Sequence, residues 1–277
     1  MKNIIKKIIN VFIAGLTYPI NDKIKIAAIY SFFSKLLYSK DNTLEFDAKN
    51  NIYWCKHKDL YLYSEREPTF KFSLEKLYKT ANRICCRAYV PKLDDIVIDV
   101  GAGVGTETVF FVQKIGDNGK LFNFEASPST YSKLKLLSEK NKMKVCKNIN
   151  MAISAKEDKI WIEEQEEHQK AQINPNKKGT EVKAISLDSF IKEEGLTKIN
   201  FIKVNIEGAE YDMIDGMKET ISITENIAIS CHDFLFENKS KIKDKVINFL
   251  RENNFEISEN NTGHQVVDSW IYGKKYK

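Results

Sequence analysis

Apolar residues in the first forty positions recur with the period of a helix. Ile4, Ile5, Ile8, Ile9, Val11, Phe12, Ile13 and Leu16 cover about half of a helical wheel, while Lys2, Asn3, Lys6, Lys7 and Asn10 fill the other side. That pattern predicts an amphipathic helix over 2–16. Pro19 closes it, and a second apolar helix with flanking lysines is expected from about Lys23 to Tyr38. Over 43–90 the pattern changes: LEFDAKNNIYWCK and LYLYS read as short strands, and FKFSLEKLYKTANR as a helix. From Pro91 onward strands and helices take turns. DIVIDVG (95–101) has the continuous apolar character of a buried strand, and VGTETVFFVQKIG is a helix ended by Gly116. KLFNFEA is a strand, and PSTYSKLKLLSEKN a helix with Pro128 in its first turn. VCKNINMAIS reads as one strand, followed by a strand-like excursion through KIWIEE and EVKAISL. INFIKVNIEG (199–208) is a strand leading into a helix from Ala209 to about Ile221. NIAISCH is a strand, KSKIKDKVINFLREN a helix, and FEISEN and VVDSWIY two final strands. This alternation predicts an α/β fold, a mostly parallel sheet with helices on both faces. The closing strand–strand pair predicts an antiparallel edge strand. HQKAQINPNKKGT (168–180), polar with Pro and Gly, is expected to be a loop.

Composition narrows the picture. The chain has 277 residues and 43% apolar content, enough for one large domain with a modest appendage. Its net charge of +5 is local: residues 1–40 hold seven lysines against a single acid, Asp22, and the rest is close to neutral. The chain thus divides into a basic amphipathic helical segment (1–40), a small strand/helix extension (41–90) and the main α/β domain (91–277). The longest uncharged run, Ile8 to Asn21, is 14 residues, short of the ~20 that a spanning helix needs. MKNIIKK followed by apolar residues looks like a signal peptide, but no small-x-small cleavage site follows. Cys55, Cys85, Cys86, Cys146 and Cys231 are scattered without a C-x-x-C pair, which excludes a disulfide framework or zinc knuckle and suits a cytoplasmic location.

The strongest motif is Asp99-Val100-Gly101-Ala102-Gly103-Val104-Gly105-Thr106. A strand ends on an acid and runs into a glycine-rich turn that opens a helix. Dinucleotide sites use G-x-G-x-x-G. Here the spacing is D-x-G-x-G-x-G, with Thr106 in place of the third dinucleotide glycine. An acid at the strand end also suits a positively charged ligand, such as S-adenosylmethionine, better than a pyrophosphate. Glu125 ends the next strand, 24 residues beyond Gly101, where a carboxylate holds a ribose diol in such folds.

DVGAGVGTET (99–108), FEASPSTYSKL (124–134), NMAIS (150–154), SLDSF (186–190) and IKVNIEGAEYDMIDGM (202–217) occur in an order that resembles the FkbM-type methyltransferases, over roughly Asp94 to His232. The resemblance implies a class I methyltransferase, Rossmann-like sheet, S-adenosylmethionine as donor, and O-methylation of a glycan, glycolipid or other small acceptor. By the same resemblance Asp99, Gly101, Ala102, Gly103, Gly105, Thr106, Glu125 and Ala126 fall on cofactor positions, and Ala152 and Ile153 near the adenine. Two residues depart from the family pattern. Ala126 replaces the usual Pro, and Asn205 stands where Asp is general. An amide hydrogen-bonds but cannot serve as a carboxylate base or a strong metal ligand.

A hydroxyl acceptor must lose its proton, which favours a nearby base. His232, at the C-terminal end of a strand where parallel sheets bind ligands, is the leading candidate. Glu207 is placed to orient the acceptor or act as base. Lys203 alternates with Asn205 and Glu207 on one side of the extended segment and alternatively pairs with Glu207 or Glu210. Glu210 is expected to be structural, and His57, His168 and His264 lack supporting context. No His/Asp/Glu cluster has metal-ligand spacing, so no metal is expected. Tyr53, Trp54, Tyr61 and Tyr63 suit cross-strand packing more than stacking on a ligand, and no nucleic-acid motif occurs. The competing readings are a nicotinamide-dependent oxidoreductase, whose glycine spacing is absent, and a catalytically impaired cofactor-binding or interaction protein, which Asn205 supports. Residues 1–40 are expected either to contact the inner membrane face peripherally or to pack on the body or in a homodimer.

Overall fold

The structure, a computed structural model, describes residues 2–64, 73–163, 172–173, 178–235 and 242–276. Its contacts divide the chain into two compact units, Met1–Leu77 and Tyr78–Lys277. In the first, helices α1 (Lys2–Thr17) and α2 (Lys23–Leu37) precede an antiparallel meander of β1 (Asn42–Asp47), β2 (Ile52–His57) and β3 (Leu60–Ser64). Asp22 caps α2, its carboxylate accepting the N–H groups of Ile24 and Lys25 at 2.9 and 3.2 Å, donors that a helix start leaves open. The Ser31 hydroxyl accepts the Leu44 N–H at 2.6 Å, so α2 and the meander fold together across residue 40. The meander aromatics pack across strands: Trp54 is buried and meets Tyr63 edge-on at 6.0 Å.

α3 (Leu74–Arg83) leads from the first unit into the second. There β4 (Ile96–Val100), α4 (Thr106–Ile115), β5 (Lys120–Phe124), α5 (Pro128–Lys140) and β6 (Cys146–Ile149) form two successive parallel strand–helix–strand steps of the main sheet. The chain then leaves it. β7 (Ala152–Ile153), β8 (Asp158–Glu163), β9 (Gln172–Ile173) and β10 (Thr180–Ile185) make a small sheet of order β7-β10-β8-β9. α6 (Leu187–Glu193), β11 (Ile199–Val204), α7 (Glu210–Met213), β12 (Thr224–Ser230), α8 (Ile242–Glu252), β13 (Phe255–Glu259), α9 (Gln265–Asp268) and β14 (Trp270–Lys275) complete the fold. The seven-stranded order is β13-β14-β12-β11-β4-β5-β6, parallel except for β14.

Strand alternation sorts the sheet into two buried faces. Ile98, Val100, Phe122, Phe124, Ile202, Val204, Ile227 and Ile229 pack with Phe190 of α6 and Leu250 of α8. Val97, Leu121 and Phe201 point the other way, where Phe111 of α4 meets Phe201 at 6.1 Å. Asp99, Asn123 and Lys203 share that second face by the same alternation, which buries ionic groups inside an apolar layer.

Four local expectations change. The antiparallel strand is not at the edge: β14 inserts between β12 and β13, and its first four residues are buried, while β13 carries the exposed edge. VCKNINMAIS is two strands, because the Asn150 side chain donates to the carbonyls of Glu125 and Ala126 at 2.8 and 3.0 Å. That turns the chain so that Ala152 and Ile153 pair with β10. The helix expected from 209 to 221 is one turn of α-helix followed by 3-10 turns at 214–216 and 220–223. Asp188 restarts it, accepting the N–H groups of Glu219 and Thr220 at 3.0 and 2.7 Å. The last strand begins at Trp270, since 265–268 forms a helical turn whose Asp268 accepts the N–H groups of Thr262 and Gly263. Apart from 172–173 and 178–180, the stretch 168–180, with His168, lies outside the described residues.

Candidate active site

The loops after β4, β5 and β11 meet at one edge of the main sheet, and each glycine of the first loop has a different task. Gly101 takes φ +76°, and a Cβ there would press into the Asn205 carbonyl oxygen. Its absence lets the Asn205 N–H reach the Val100 carbonyl at 3.0 Å and closes the ends of β4 and β11. Gly103, at φ +59°, donates its N–H to Glu125 Oε2 at 2.9 Å, while Oε1 accepts the Ser127 N–H at 2.9 Å. Gly105, at φ +90°, precedes α4, and a Cβ would strike Leu134 and Leu137 of α5.

A cavity of about 320 Å³ opens over these loops, within the size range of small-molecule sites. Gly101, Ala102, Gly103 and Thr106 form one wall, and Glu125 and Ala126 the end of β5. Met151, Ala152, Ile153, Ile160 and Ile162 make an apolar side; Lys203, Asn205 and Glu207 come from the end of β11.

Two charged groupings underlie this cavity. Asp99 and Lys203 are register partners on adjacent strands, with Nζ and Oδ1 2.8 Å apart and side chains 0% and 4% exposed. The Lys203 ammonium also donates to the Gly101 carbonyl at 2.7 Å, so the ion pair is fastened to the glycine loop. Burial pulls the Lys203 pKa down, but the charges of Asp99 and Glu107 outweigh it, and the net direction is up.

The second grouping is Glu207, His232 and Glu210. Buried Glu210 accepts the Ile206 N–H at 2.9 Å and the Gly208 N–H at 2.8 Å, which holds the turn after β11. Within that turn Glu207 takes φ +52°, sparsely populated for a residue with a side chain. His232 Nδ1 lies 2.7 Å from Glu210 Oε1 and donates to it, since a carboxylate only accepts. Nε2 then faces Glu207 Oε1 at 3.5 Å, too long for a good hydrogen bond but close enough for charge to act. Burial lowers the His232 pKa, yet the bond to Glu210 and the charges of Glu210 and Glu207 prevail and raise it above 6.5. Burial raises the Glu207 pKa above 4.5 and Glu210 adds to this, while His232 opposes it.

Of the residues singled out from sequence, Gly101, Ala102, Gly103, Thr106, Glu125, Ala126, Ala152, Ile153, Lys203, Asn205 and Glu207 line the cavity. Three do not. Asp99 is sealed against Lys203, Gly105 faces α5, and His232 stands behind Glu207 with both ring nitrogens directed at carboxylates. The alternation expected to carry Lys203, Asn205 and Glu207 on one extended side ends at Asn205, because Glu207 turns into the left-handed region. Thr80, Ala81, Ile84 and Cys85 of α3 and its following turn, Glu107, Ile160, Ile162 and Trp270 also line the cavity and are not among the residues singled out from sequence. Trp270 alone had a usable clue: it opens the strand paired with β12, opposite Ser230. The cysteines are free, and burial pushes the Cys146 thiol up to about 12 and raises that of Cys231, the direction of inert core thiols. Among the described residues no group of three or more His, Cys, Asp or Glu forms a metal-holding cluster.

The family described as Methyltransferase FkbM domain matches residues 99–257. Hexuronic acid methyltransferase AglP of Haloferax volcanii is 26% identical over 143 residues, covering 50% of this chain. The chain spans 56% of the length of that curated relative. Among solved structures, the methyltransferase FkbM of Methylobacillus flagellatus KT has a TM-score of 0.48 at 15% identity, covering 66% of this chain and 44% of that one. Aeropyrum pernix fibrillarin, solved with S-adenosyl-L-methionine, has a TM-score of 0.45 at 12% identity, covering 84% and 94%.

Proposed function

The chain belongs to the FkbM methyltransferase family and depends on S-adenosylmethionine, and from that premise we propose that it methylates a hydroxyl of a glycan, glycolipid or related small acceptor. The cavity residues suit the donor. Glu125, at the end of β5 on the cavity wall, is placed for a ribose diol. Met151, Ala152, Ile153 and Ile160 offer an apolar slot for a flat base, and Glu107 suits cationic groups. When bound, this cofactor supplies a methyl carbon made electrophilic by its sulfonium.

The chain's own work is alignment and proton removal. Glu207 takes the proton of the acceptor hydroxyl onto its carboxylate, and the freed oxygen pair would bond to the methyl carbon as the carbon–sulfur bond breaks, its electron pair staying on sulfur to leave S-adenosylhomocysteine. His232 sits behind it as a positioning residue, and Glu210 fixes the imidazole and the turn. The observation that carries this reading is a carboxylate on the cavity wall, its pKa raised by burial, with a buried imidazole 3.5 Å away. Attack by a hydroxyl needs such a base.

The relative from Haloferax volcanii supports a sugar acceptor. A hexuronic acid offers hydroxyls and a carboxylate, and the two differ in what they ask of the site. A carboxylate needs no base and is repelled by Glu207, so the hydroxyl is favoured. The test supplies radiolabelled donor with neutral and uronic glycosides and treats the product with mild alkali. Label surviving alkali marks an ether and supports the reading; label released as methanol marks an ester and overturns it. Glu207→Gln should lower kcat by about 10²–10⁴ with S-adenosylhomocysteine affinity kept. Unchanged kcat removes Glu207 from the base role.

A further inference from the structure

The first unit presents large exposed apolar side chains on its two helices. Along α2, Ile24, Ala28, Phe32 and Leu36 recur every four residues and are all exposed, a single stripe on one helix face. On α1, Val11, Phe12 and Leu16 are exposed as well, and the exposed large apolar residues of the two helices range from 36% at Leu37 to 74% at Val11. The stripe is not an unfinished core. The core side of α2 is occupied by buried Ala27 and Ser34, with Ser31 bound to Leu44 and Ser34 to Asn42.

Charge accompanies the stripe. Residues 1–40 carry seven lysines against one acid, and Lys25, Lys35 and Lys40 are exposed. A shallow groove of about 640 Å³ borders α2, where Phe32 and Lys35 meet Lys56 and Lys58, with Asp41 and Glu45 the acids on its wall. Apolar and cationic groups therefore share one rim. Neither helix crosses a bilayer: α1 has 16 residues, about 24 Å against a ~30 Å hydrocarbon core, and no described helix is long and apolar enough to span one. Large exposed apolar side chains flanked by lysines, on helices too short to span, are the composition of an in-plane membrane contact.

We propose that α1 and α2 dock on an anionic bilayer surface, with Phe12, Phe32 and Leu36 entering the interface and the lysines meeting headgroup phosphates. Charge separates this occupant from a second copy of the chain. Two such faces would bring like charges together, whereas anionic lipid neutralises them.

The test is co-sedimentation of the full chain with vesicles of phosphatidylcholine alone or with about one-third phosphatidylglycerol. Binding is expected only to the anionic vesicles and should weaken with salt. Phe32→Glu/Leu36→Glu should reduce it at least about 10-fold, with thermal stability and S-adenosylhomocysteine affinity unchanged because both side chains are exposed. Lys35→Glu/Lys40→Glu, which leaves the apolar stripe intact, should reduce it as well and keeps the test valid if the first variant misfolds. Absence of wild-type binding overturns the proposal, as does equal binding by wild type and both variants. A wild-type dimer in solution that Phe32→Glu/Leu36→Glu converts to monomer, with no vesicle binding, also overturns it and assigns the stripe to a second copy.

Discussion

Breaking the Asp99–Lys203 pair is the sharpest perturbation the main sheet offers. Both side chains are buried, 0% and 4% exposed, so solvent screens the pair little, and the ammonium is also the donor that ties the Gly101 carbonyl to β11. Removing one member of a buried pair leaves an uncompensated charge in an apolar layer, at a cost of about 3–5 kcal/mol. Lys203→Met, similar in length, and Asp99→Asn, similar in shape, should each fall in that range. For a unit of this size that lowers Tm by about 6–20 °C. The double variant Asp99→Asn/Lys203→Met leaves no net buried charge, so its loss should fall short of the sum of the singles by at least about 2 kcal/mol. Urea unfolding measures the four free energies. Hydrogen exchange of β4 and β11 peptides locates the loss, because Asp99 and Lys203 are register partners on those strands. Single variants costing under about 1 kcal/mol, or strict additivity, would show that the pair is not the fastening that burial and distance describe.

Two further predictions concern the site. Glu207 must be ionised to act as base, so kcat should rise with pH through a group titrating above 4.5. His232→Gln removes a charge that lowers the Glu207 pKa, so the ascending limb should move to higher pH; an unmoved limb, or one moved down, refutes the coupling. Gly101→Ala should cost about 2–5 kcal/mol, combining a left-handed alanine with overpacking against a backbone carbonyl. Thermal denaturation with and without S-adenosylhomocysteine should show both lowered stability and lost ligand stabilisation, and a variant within about 0.5 kcal/mol of wild type would contradict the close approach of Gly101 to Asn205.

The strand–helix alternation from β4 to α8 was legible because buried parallel strands are apolar on both faces and their helices carry their own stops and starts. Ser127 and Pro128 open α5, and Gly116 closes α4 in a left-handed conformation. What escaped notice depends on contacts distant in sequence. The break between β6 and β7 is made by Asn150 reaching the end of β5, and the 3-10 turn at 220–223 starts on Asp188, some thirty residues earlier. The helix α6 was missed although Ser186 caps it at the Ser189 N–H, because EVKAISL reads equally well as continuous strand. In the site, motif spacing located the glycine loop, Glu125 and the end of β11. It could not tell which acid faces the ligand and which faces a lysine, since Asp99 and Glu125 both sit at strand ends and differ only in what packs beside them.

The same contacts bear on Asn205, the departure from the family pattern that favours a catalytically impaired reading. On the proposed mechanism the carboxylate that the pattern places at 205 is not needed as base, because Glu207 brings one to the same wall. Its left-handed backbone is sustained by Glu210, which holds the N–H groups on either side of it, at Ile206 and Gly208. A second acid at 205 would add a like charge beside a carboxylate whose pKa is already raised by burial and by Glu210, and would push Glu207 toward its protonated, inactive form. An amide keeps hydrogen-bonding capacity at 205 without that penalty. Glu210 is thus more than scaffold: one carboxylate sets the turn that aims Glu207, and its charge keeps His232 inclined to hold the proton that favours Glu207 as an anion. The departure at 205 thus leaves the proposed base, Glu207, and the acid that holds its turn, Glu210, both in place.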